Sequence, residues 1–329
     1  MRRNRLVGPL ALLAVLVLAA CGGAGSDHHG TTGSSRSARS RPTSTTVPIS
    51  DLLDPQGTKY LGVEVPGAPK SLRKVRTFAT AIGRKPDLIG EYIGFGQRFD
   101  PAAVRAAWAY GAMTYVAWEP YGTTVADIAS GNDNSYIDRF AKSVRAVGLP
   151  VALSFGHEMN GNWYPWGTSD STPAQFVAAW RLIHAIFTAV RANNVIWVWN
   201  PNVISANPGV SLKPYWPGDS YVDWVGITGY FDTGAYATFK TLFGPTMTQI
   251  RTFTSEPVLI AETSVPTGPG EAATARSLVA GVRRSNVIGL IWFNYDKAGQ
   301  DWRLASRPAL RAAMAGQLAS VPLVQVSRR

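Results

Sequence analysis

From residue 60 onward, short apolar runs alternate with longer amphipathic stretches. The short runs are rich in β-branched and aromatic residues, which is typical of strands, and they cover residues 60–65, 88–95, 113–119, 151–157, 195–200, 222–230, 258–263 and 288–295. The longer stretches predict helices around residues 70–82, 101–110, 135–147, 173–192, 237–253, 271–284 and 307–318. Near-continuous apolar strands separated by helices indicate a parallel sheet that the helices cover.

Eight strand runs, most of them followed by a helix, predict an α/β fold: a (β/α)8 TIM barrel that forms a single domain over residues 49–329. The alternative is an open, doubly wound sheet. That fold normally carries a glycine-rich phosphate-binding turn after its first strand, and residues 62–67 do not supply one. The pattern therefore favours the barrel.

The first 48 residues do not follow this pattern. Three arginines precede an apolar run over residues 6–20, and a run of this length predicts a signal peptide over residues 1–20 rather than a membrane span. The run ends in Leu18-Ala19-Ala20-Cys21, which resembles the lipobox of bacterial lipoproteins. The resemblance implies cleavage before Cys21 and lipidation of its sulfur, with an ordinary signal peptide as the alternative. Residues 21–48 then predict a disordered tether, so we expect an extracytoplasmic protein that is lipid-anchored to the bacterial cell membrane.

Composition narrows the function classes further. Hydrophobic residues make up 46% of the chain and charged residues 16%, which excludes a wholly disordered protein. Cys21 is the only cysteine, so the chain cannot form an internal disulfide or a cysteine-rich zinc cluster. Six arginines and one aspartate within residues 1–48 contribute +5 of the net charge of +11. The remaining charge of +6 over residues 49–329 is too small to favour nucleic acid as a partner. We expect the protein to be a monomer.

In such a barrel, the chemistry lies at the carboxyl ends of the strands. Polar residues at the predicted ends are Glu64, Glu119, His157, Glu158, Asn200, Asn202, Tyr230, Glu262, Asn294 and Asp296, with tryptophans interleaved among them. The chain has no serine nucleophile elbow and no phosphate-binding loop, and no second histidine follows His157-Glu158 at zinc-protease spacing. We expect neither a metal nor a cofactor. Paired carboxylates with aromatic platforms are instead what cleavage of a glycosidic bond requires.

Glu158 and Glu262 form the candidate pair, because they end the fourth and seventh strands, which we expect to lie across the barrel mouth from each other. Residues 157–167, with the sequence HEMNGNWYPWG, closely resemble the acid/base motif of glycoside hydrolase family 26. The likeness extends in chain order to residues 199–202, 229–230, 260–262, 292–294 and 301–303. That family contains endo-β-1,4-mannanases, and relatives that act on mixed-linkage β-glucan and β-1,3-xylan.

The resemblance implies a retaining, endo-acting β-glycoside hydrolase that cleaves a β-linked, mannan-like polysaccharide by double displacement. Glu158 would be the general acid/base and Glu262 the nucleophile. The other implied site residues, which would contact substrate or support the pair, are His157, Trp163, Trp166, Asn200, Tyr230 and Trp292. Among these, Tyr230 would hydrogen-bond the nucleophile, and Trp292 would lie beneath the sugar being cleaved.

Two positions depart from the family pattern. An arginine is usual a few residues before the His-Glu pair, where this chain has Ser154 and its neighbours, and an acidic residue is usual where it has Thr228. Both departures remove polar groups near the sugar, so they bear on mannan more than on hydrolysis. The open alternatives are a β-1,3-1,4-glucanase, a β-xylanase or an exopolysaccharide hydrolase of the same family, and a non-catalytic carbohydrate-binding surface lipoprotein. Whether Glu64 and Glu119 contact substrate is also open at this point.

Overall fold

The computed structural model describes residues 48–297 and 299–326. Eight parallel strands close into a barrel in chain order, with the eighth strand pairing back onto the first. The strands are β1 (Tyr60–Glu64), β2 (Leu88–Gly94), β3 (Met113–Glu119), β4 (Val151–Phe155), β5 (Val195–Trp199), β6 (Trp224–Thr228), β7 (Val258–Thr263) and β8 (Val287–Phe293). A short antiparallel ribbon of β9 (Asp296–Lys297) and β10 (Gln300–Asp301) follows the barrel. The prediction of a (β/α)8 TIM barrel is confirmed.

Helices cover the outside of this barrel. They are α1 (Ile49–Leu53), α2 (Arg73–Ile82), α3 (Pro101–Tyr110), α4 (Val125–Ala129), α5 (Asn134–Val147), α6 (Pro173–Ala189), α7 (Phe239–Ile250), α8 (Glu271–Arg284) and α9 (Pro308–Leu318). The hydrophobic pattern predicted all of them except the short α1 and α4, which lack the length to show a period. Between β5 and β6, three short 3-10 helices at Ile204–Ala206, Lys213–Tyr215 and Asp219–Tyr221 replace a long helix.

Apolar side chains form two layers, because alternate residues of each strand point to opposite faces. The inner layer fills the barrel and includes Met113, Tyr115 and Ala117, which are alternate residues of β3. The outer layer lies between the strands and the helices, and it contains Val116 and Trp118 from the same strand. At the carboxyl ends of the strands, a side chain can reach the mouth only if it points away from this outer layer.

The floor of the barrel is closed by α1. Tyr60 Oη donates to the Leu52 carbonyl oxygen at 2.7 Å, and Trp224 Nε1 donates to the Leu53 carbonyl oxygen at 2.7 Å. Tyr60 and Trp224 begin their strands, so the described chain starts on the face opposite the strand carboxyl ends.

The predicted signal peptide, Cys21 and nearly all of the predicted tether lie outside the described residues. Within residues 48–297 and 299–326, none of the helices combines the length and apolar character that crossing a bilayer would need.

Candidate active site

Glu262 reaches the barrel mouth because β7 carries one extra residue. Gly226 pairs with Leu259 and Thr228 pairs with Glu262, so a step of two residues on β6 faces a step of three on β7. Ile260 belongs to the outer layer, and strict alternation would send the side chain of Glu262 outward as well. The extra residue is a β-bulge, which reverses the side on which the following side chain emerges.

Two phenols hold the Glu262 carboxyl group. Tyr230 Oη donates to Glu262 Oε1, the contact that the family resemblance implies, and Tyr92 Oη from β2 contacts Glu262 Oε2. Burial first, and then the neighbouring Glu262 carboxylate, raise the pKa of both tyrosines well above the ordinary value, so both keep a proton to donate. Donors aimed at a carboxylate stabilise its ionised form.

Glu158 is presented by a tight turn beyond β4. Its φ of 57° lies in the left-handed region, which non-glycine residues seldom adopt. The turn is fixed by two backbone hydrogen bonds: Glu158 N donates to the Asn200 carbonyl oxygen at 2.6 Å, and Gly161 N donates to the Glu158 carbonyl oxygen at 2.8 Å. Backbone strain of this kind persists where surrounding contacts hold it, and such positions cluster at functional sites.

The Glu158 side chain is buried, with 2% exposure, yet it is hydrogen-bonded. Trp163 Nε1 donates to Glu158 Oε2 at 2.6 Å, and Asn202 supplies a second side-chain hydrogen bond. Burial, the largest cause, and the nearby Glu262 carboxylate, the next largest, together raise the pKa of Glu158 to about 8. Glu158 is therefore protonated at neutral pH, and the negative charge of a Glu262 carboxylate favours that state.

Gly161 explains how Trp163 lies against this turn. A Cβ at position 161 would sit 2.4 Å from Trp163 Cζ2, so only a glycine lets the indole pack on the backbone there. The half-buried Trp163 ring then faces Glu158 with its N–H and keeps part of its surface open.

His157 is buried and neutral. Burial first, and the Lys297 charge second, lower its pKa to about 3. Its ring packs against Tyr92, Tyr164 and Trp166, with ring centroids 6.0, 5.1 and 5.7 Å away. With 1% exposure, His157 packs among these aromatic rings and offers almost no surface to a sugar.

Comparison with known proteins agrees with this geometry. Residues 103–262 match the family model described as Glycosyl hydrolase family 26. That span includes Glu158, Glu262 and the four whole strands β3 to β6. Residues 103–262 are a glycosyl hydrolase family 26 domain.

The names of proteins related to this family 26 domain indicate different substrates. Endoglucanase H of Acetivibrio thermocellus is 32% identical over 262 residues, which are 75% of this chain and 29% of that protein. Mannan endo-1,4-beta-mannosidase A and B of Caldalkalibacillus mannanilyticus is 40% identical over 90 residues, 25% of this chain and 17% of that protein. The chain thus spans less than a third of the length of these two relatives.

Solved structures share the barrel. A family 26 β-mannanase from Bacteroides ovatus superposes with a TM-score of 0.64 at 15% identity, covering 84% of this chain and 93% of that one. A modular endo-β-1,4-mannanase from Cellulomonas fimi gives a TM-score of 0.63 at 15% identity, covering 84% of this chain and 74% of that one. At this identity the likeness establishes the fold.

Two of the expected sugar-contacting tryptophans point elsewhere, and those predictions are wrong. Trp166 is fully buried, donates Nε1–H to the His157 carbonyl oxygen at 2.7 Å, and stacks on Tyr164. Trp292 is also fully buried and belongs to the outer layer beneath the helices, because alternation along β8 turns its side chain away from the barrel axis. Neither ring offers surface to a sugar.

Asn200 also has a different role from the one expected. Its Nδ2 donates to Tyr115 Oη at 3.1 Å, and its Oδ1 accepts from Thr228 Oγ1 at 3.3 Å, so the amide is used within the barrel. The neighbouring Asn202, and not Asn200, bonds to Glu158 through its side chain. Thr228, one of the departures from the family pattern, is thereby committed to the interior.

The structure adds residues that the sequence did not assign. Glu64 and Glu119 join the mouth as buried carboxyl groups, and Tyr92 links Glu64 to Glu262. Burial, with Glu262 next, raises the pKa of Glu119 to about 8. The partly exposed aromatic side chains near these carboxyl groups, which a sugar could contact, include Tyr92, Tyr121, Trp163, Tyr164, Tyr230, Tyr295 and Trp302.

No group of three or more metal-binding side chains with the arrangement to hold an ion occurs in the described part of the chain. The carboxyl groups of the mouth contact phenols, one amide and an indole.

Proposed function

We propose that this protein is a retaining, endo-acting β-glycoside hydrolase of a mannan-like polysaccharide, with Glu158 as general acid/base and Glu262 as nucleophile. The observation that carries the proposal is the contrast between the surroundings of the two carboxyl groups. Glu158 is protonated at neutral pH because burial raises its pKa to about 8, whereas Glu262 accepts hydrogen bonds from phenols. A carboxyl group that keeps its proton at neutral pH suits the acid, and one that accepts hydrogen bonds from phenols suits the nucleophile.

The reaction then proceeds in two displacements. Glu158 donates its proton to the glycosidic oxygen while Glu262 attacks the anomeric carbon, which gives a glycosyl-enzyme ester. Glu158, now ionised, removes a proton from water, and the water displaces Glu262. Two inversions retain the β configuration, and this mechanism expects the two carboxyl groups to be about 5–5.5 Å apart.

A mixed-linkage or other β-glucan is the second candidate substrate. Endoglucanase H aligns with 75% of this chain, whereas the mannosidase of Caldalkalibacillus mannanilyticus aligns with 25%. The interior use of Thr228 removes one polar contact that the family pattern offers to mannan. Assays of the purified chain on mannan, mixed-linkage β-glucan, xylans and bacterial exopolysaccharide, with initial product anomers followed by NMR, separate these substrates. An initial α anomer would exclude the retaining mechanism.

The roles of the two carboxylates are tested by substitution and azide rescue. Glu158→Ala should lower turnover of polysaccharide by about 10²–10⁴-fold. It should still form the glycosyl-enzyme from a substrate with a good leaving group, and azide should release a β-glycosyl azide. Glu262→Ala cannot form that ester, so azide entering from the vacated face gives an α product.

The matched control is Glu91→Gln, because Glu91 is also a buried barrel glutamate but lies near Lys70 and Asp100. It should show no azide response. Identical azide products from both alanine variants would contradict the assignment of roles.

We also propose that the protein is exported and anchored by a lipid on Cys21. The lipobox-like sequence supports this, and the described chain begins at α1, on the barrel face opposite the mouth. A tether leaving from that face would point the mouth away from the membrane. Mass spectrometry of the mature N-terminal peptide, with Cys21→Ala as control, tests it. An unmodified Cys21 in a soluble mature form would refute the proposal.

A further inference from the structure

Glu64 is a third carboxyl group at the mouth, with no role so far. It ends β1, is 1% exposed, and its Oε1 has no hydrogen-bond partner among the described residues. Gly90 on the adjacent strand makes room for it, since a Cβ there would lie 2.3 Å from Glu64 Cγ. The backbone is therefore shaped around a carboxyl group in this position.

The contacts of Tyr92 demand a proton that the tyrosine cannot supply. Its Oη lies 2.9 Å from Glu64 Oε2 and also contacts Glu262 Oε2. One phenol has one proton, and an ionised carboxylate only accepts. Both contacts are hydrogen bonds only if one of the two carboxyl groups is itself protonated and donates to the Tyr92 oxygen.

The surroundings decide which carboxyl group holds that proton. Glu262 Oε1 also accepts from Tyr230, so an anion at Glu262 has a donor on each oxygen. An anion at Glu64 would leave its buried Oε1 bare, and an unpaired buried charge costs far more than an unpaired neutral carbonyl. The proton therefore belongs to Glu64.

We propose that Glu64 is a neutral carboxylic acid whose O–H donates to Tyr92, which commits the Tyr92 proton to Glu262. Glu64 is thus a positioning residue for the proposed nucleophile, and the inference rests on the proposed function only for this last role. No covalent bond is made or broken in the relay. In the relay, Glu64 donates a hydrogen bond to the Tyr92 oxygen, and Tyr92 donates one to the Glu262 carboxylate.

The electrostatic setting of Glu64 agrees with a neutral state. Burial is the largest cause that raises its pKa well above the ordinary value, and the Glu262 carboxylate is the next. The titratable and charged groups that face it from the neighbouring elements are Tyr92 on β2, Tyr115 and Glu119 on β3, Tyr230 after β6, Glu262 on β7, and Tyr295 and Lys297 after β8. Lys297 opposes the rise. A Tyr92 proton donated to Glu64 would oppose it as well, but in the proposed relay that proton goes to Glu262.

The protonation state can be read without an activity assay. In protein labelled with ¹³C at the glutamate carboxyl carbons, the resonance that Glu64→Gln removes should have the chemical shift of a carboxylic acid at pH 7. Glu119→Gln assigns the neighbouring carboxyl group in the same spectra. A carboxylate shift for Glu64 at pH 7 overturns the relay, and it does so whether or not the protein hydrolyses a glycan.

The positioning role is tested by a pair of variants of the same residue. Glu64→Leu removes the donor to Tyr92, and kcat/KM on an aryl glycoside should fall about 3- to 10-fold, the worth of one hydrogen bond. Glu64→Gln restores a donor and should recover most of that loss. The dependence of its kcat/KM on pH should also lack the decline at alkaline pH that ionisation of Glu64 causes in the native protein. Equal loss in both variants, or an unchanged profile in Glu64→Gln, overturns the role. Should the leucine variant not fold, Tyr92→Phe in the labelled protein should shift the titration of Glu64, and an unshifted titration overturns the relay.

Discussion

The indole of Trp163 is expected to set the alkaline limit of activity through Glu158. Its N–H donates to Glu158 Oε2 at 2.6 Å, a bond that favours the ionised carboxylate and lowers the pKa of Glu158. Trp163→Phe keeps an aromatic ring and removes only this donor. The pKa of Glu158, which is about 8 in the native protein, should therefore rise. The alkaline limb of kcat on polysaccharide should move to higher pH, because the acid keeps its proton longer.

The size of the shift follows from the energy of the bond. A hydrogen bond to a charged group contributes about 1.5–3 kcal/mol, and each pKa unit is 1.36 kcal/mol. Trp163 is partly exposed and Asn202 still bonds to the carboxyl group, so the lower end applies. We expect the limb to move up by about one pH unit.

The assay is a pH–rate profile on polysaccharide, with Trp180→Phe as the control. Trp180 Nε1 donates to the Tyr221 carbonyl oxygen at 3.1 Å on the outside of the barrel, so this variant loses a similar bond far from Glu158. The alkaline limb of the Trp180→Phe profile should lie at the same pH as that of the native protein. A limb for Trp163→Phe that is unmoved, or moved to lower pH, would refute the reasoning.

Three further substitutions test packing and charge. Gly90→Ala should cost about 1–3 kcal/mol in urea unfolding because its Cβ would meet Glu64 Cγ at 2.3 Å, whereas Gly94→Ala, with its nearest contact at 3.7 Å, should cost about 0.5 kcal/mol or less; equal losses would contradict this. Glu119, whose pKa is about 8 against an ordinary 4.5, keeps a proton in the folded state that the unfolded state has released, so stability falls as pH rises between these values. Glu119→Gln should remove up to about 1.4 kcal/mol per pH unit from that slope, and an unchanged slope would count against the burial argument. Arg307 is 6% exposed and pairs with a glutamate of α8 at 2.6 Å, so Arg307→Met should cost about 3–5 kcal/mol in unfolding free energy, and a loss below about 1 kcal/mol would contradict it.

The sequence predicted the barrel and the two strand-end glutamates because apolar runs and a short motif carry that information locally. It could not predict which way a side chain leaves a strand end. Trp292 and Glu262 both lie near such ends, yet alternation turns the first outward and a β-bulge turns the second inward. A bulge depends on pairing with neighbouring strands, so one strand's pattern does not reveal it.

Tyr92 was missed for a related reason. In the sequence it is one aromatic residue within an apolar run, indistinguishable from a core residue until β2 lies beside β1 and near β7. Glu91 beside it breaks the apolar run, but alternation puts its side chain on the opposite face of β2, so it gives no local signal for Tyr92. Contacts between distant strands decide its role, and those are set only by closure of the barrel.

The charge balance of the mouth connects these observations. Glu64, Glu119 and Glu158 all act electrostatically on one another or on Glu262, and Lys297 is the cation that opposes them within the described residues. Where the family usually places an arginine before the His-Glu pair, this chain has Ser154, which is buried beside Tyr115 and brings no charge. Burial and nearby like charges both favour the protonated form of a carboxyl group. The pKa values of Glu64, Glu119 and Glu158 are accordingly raised, and the two phenols contact Glu262, the residue that the proposed reaction needs ionised.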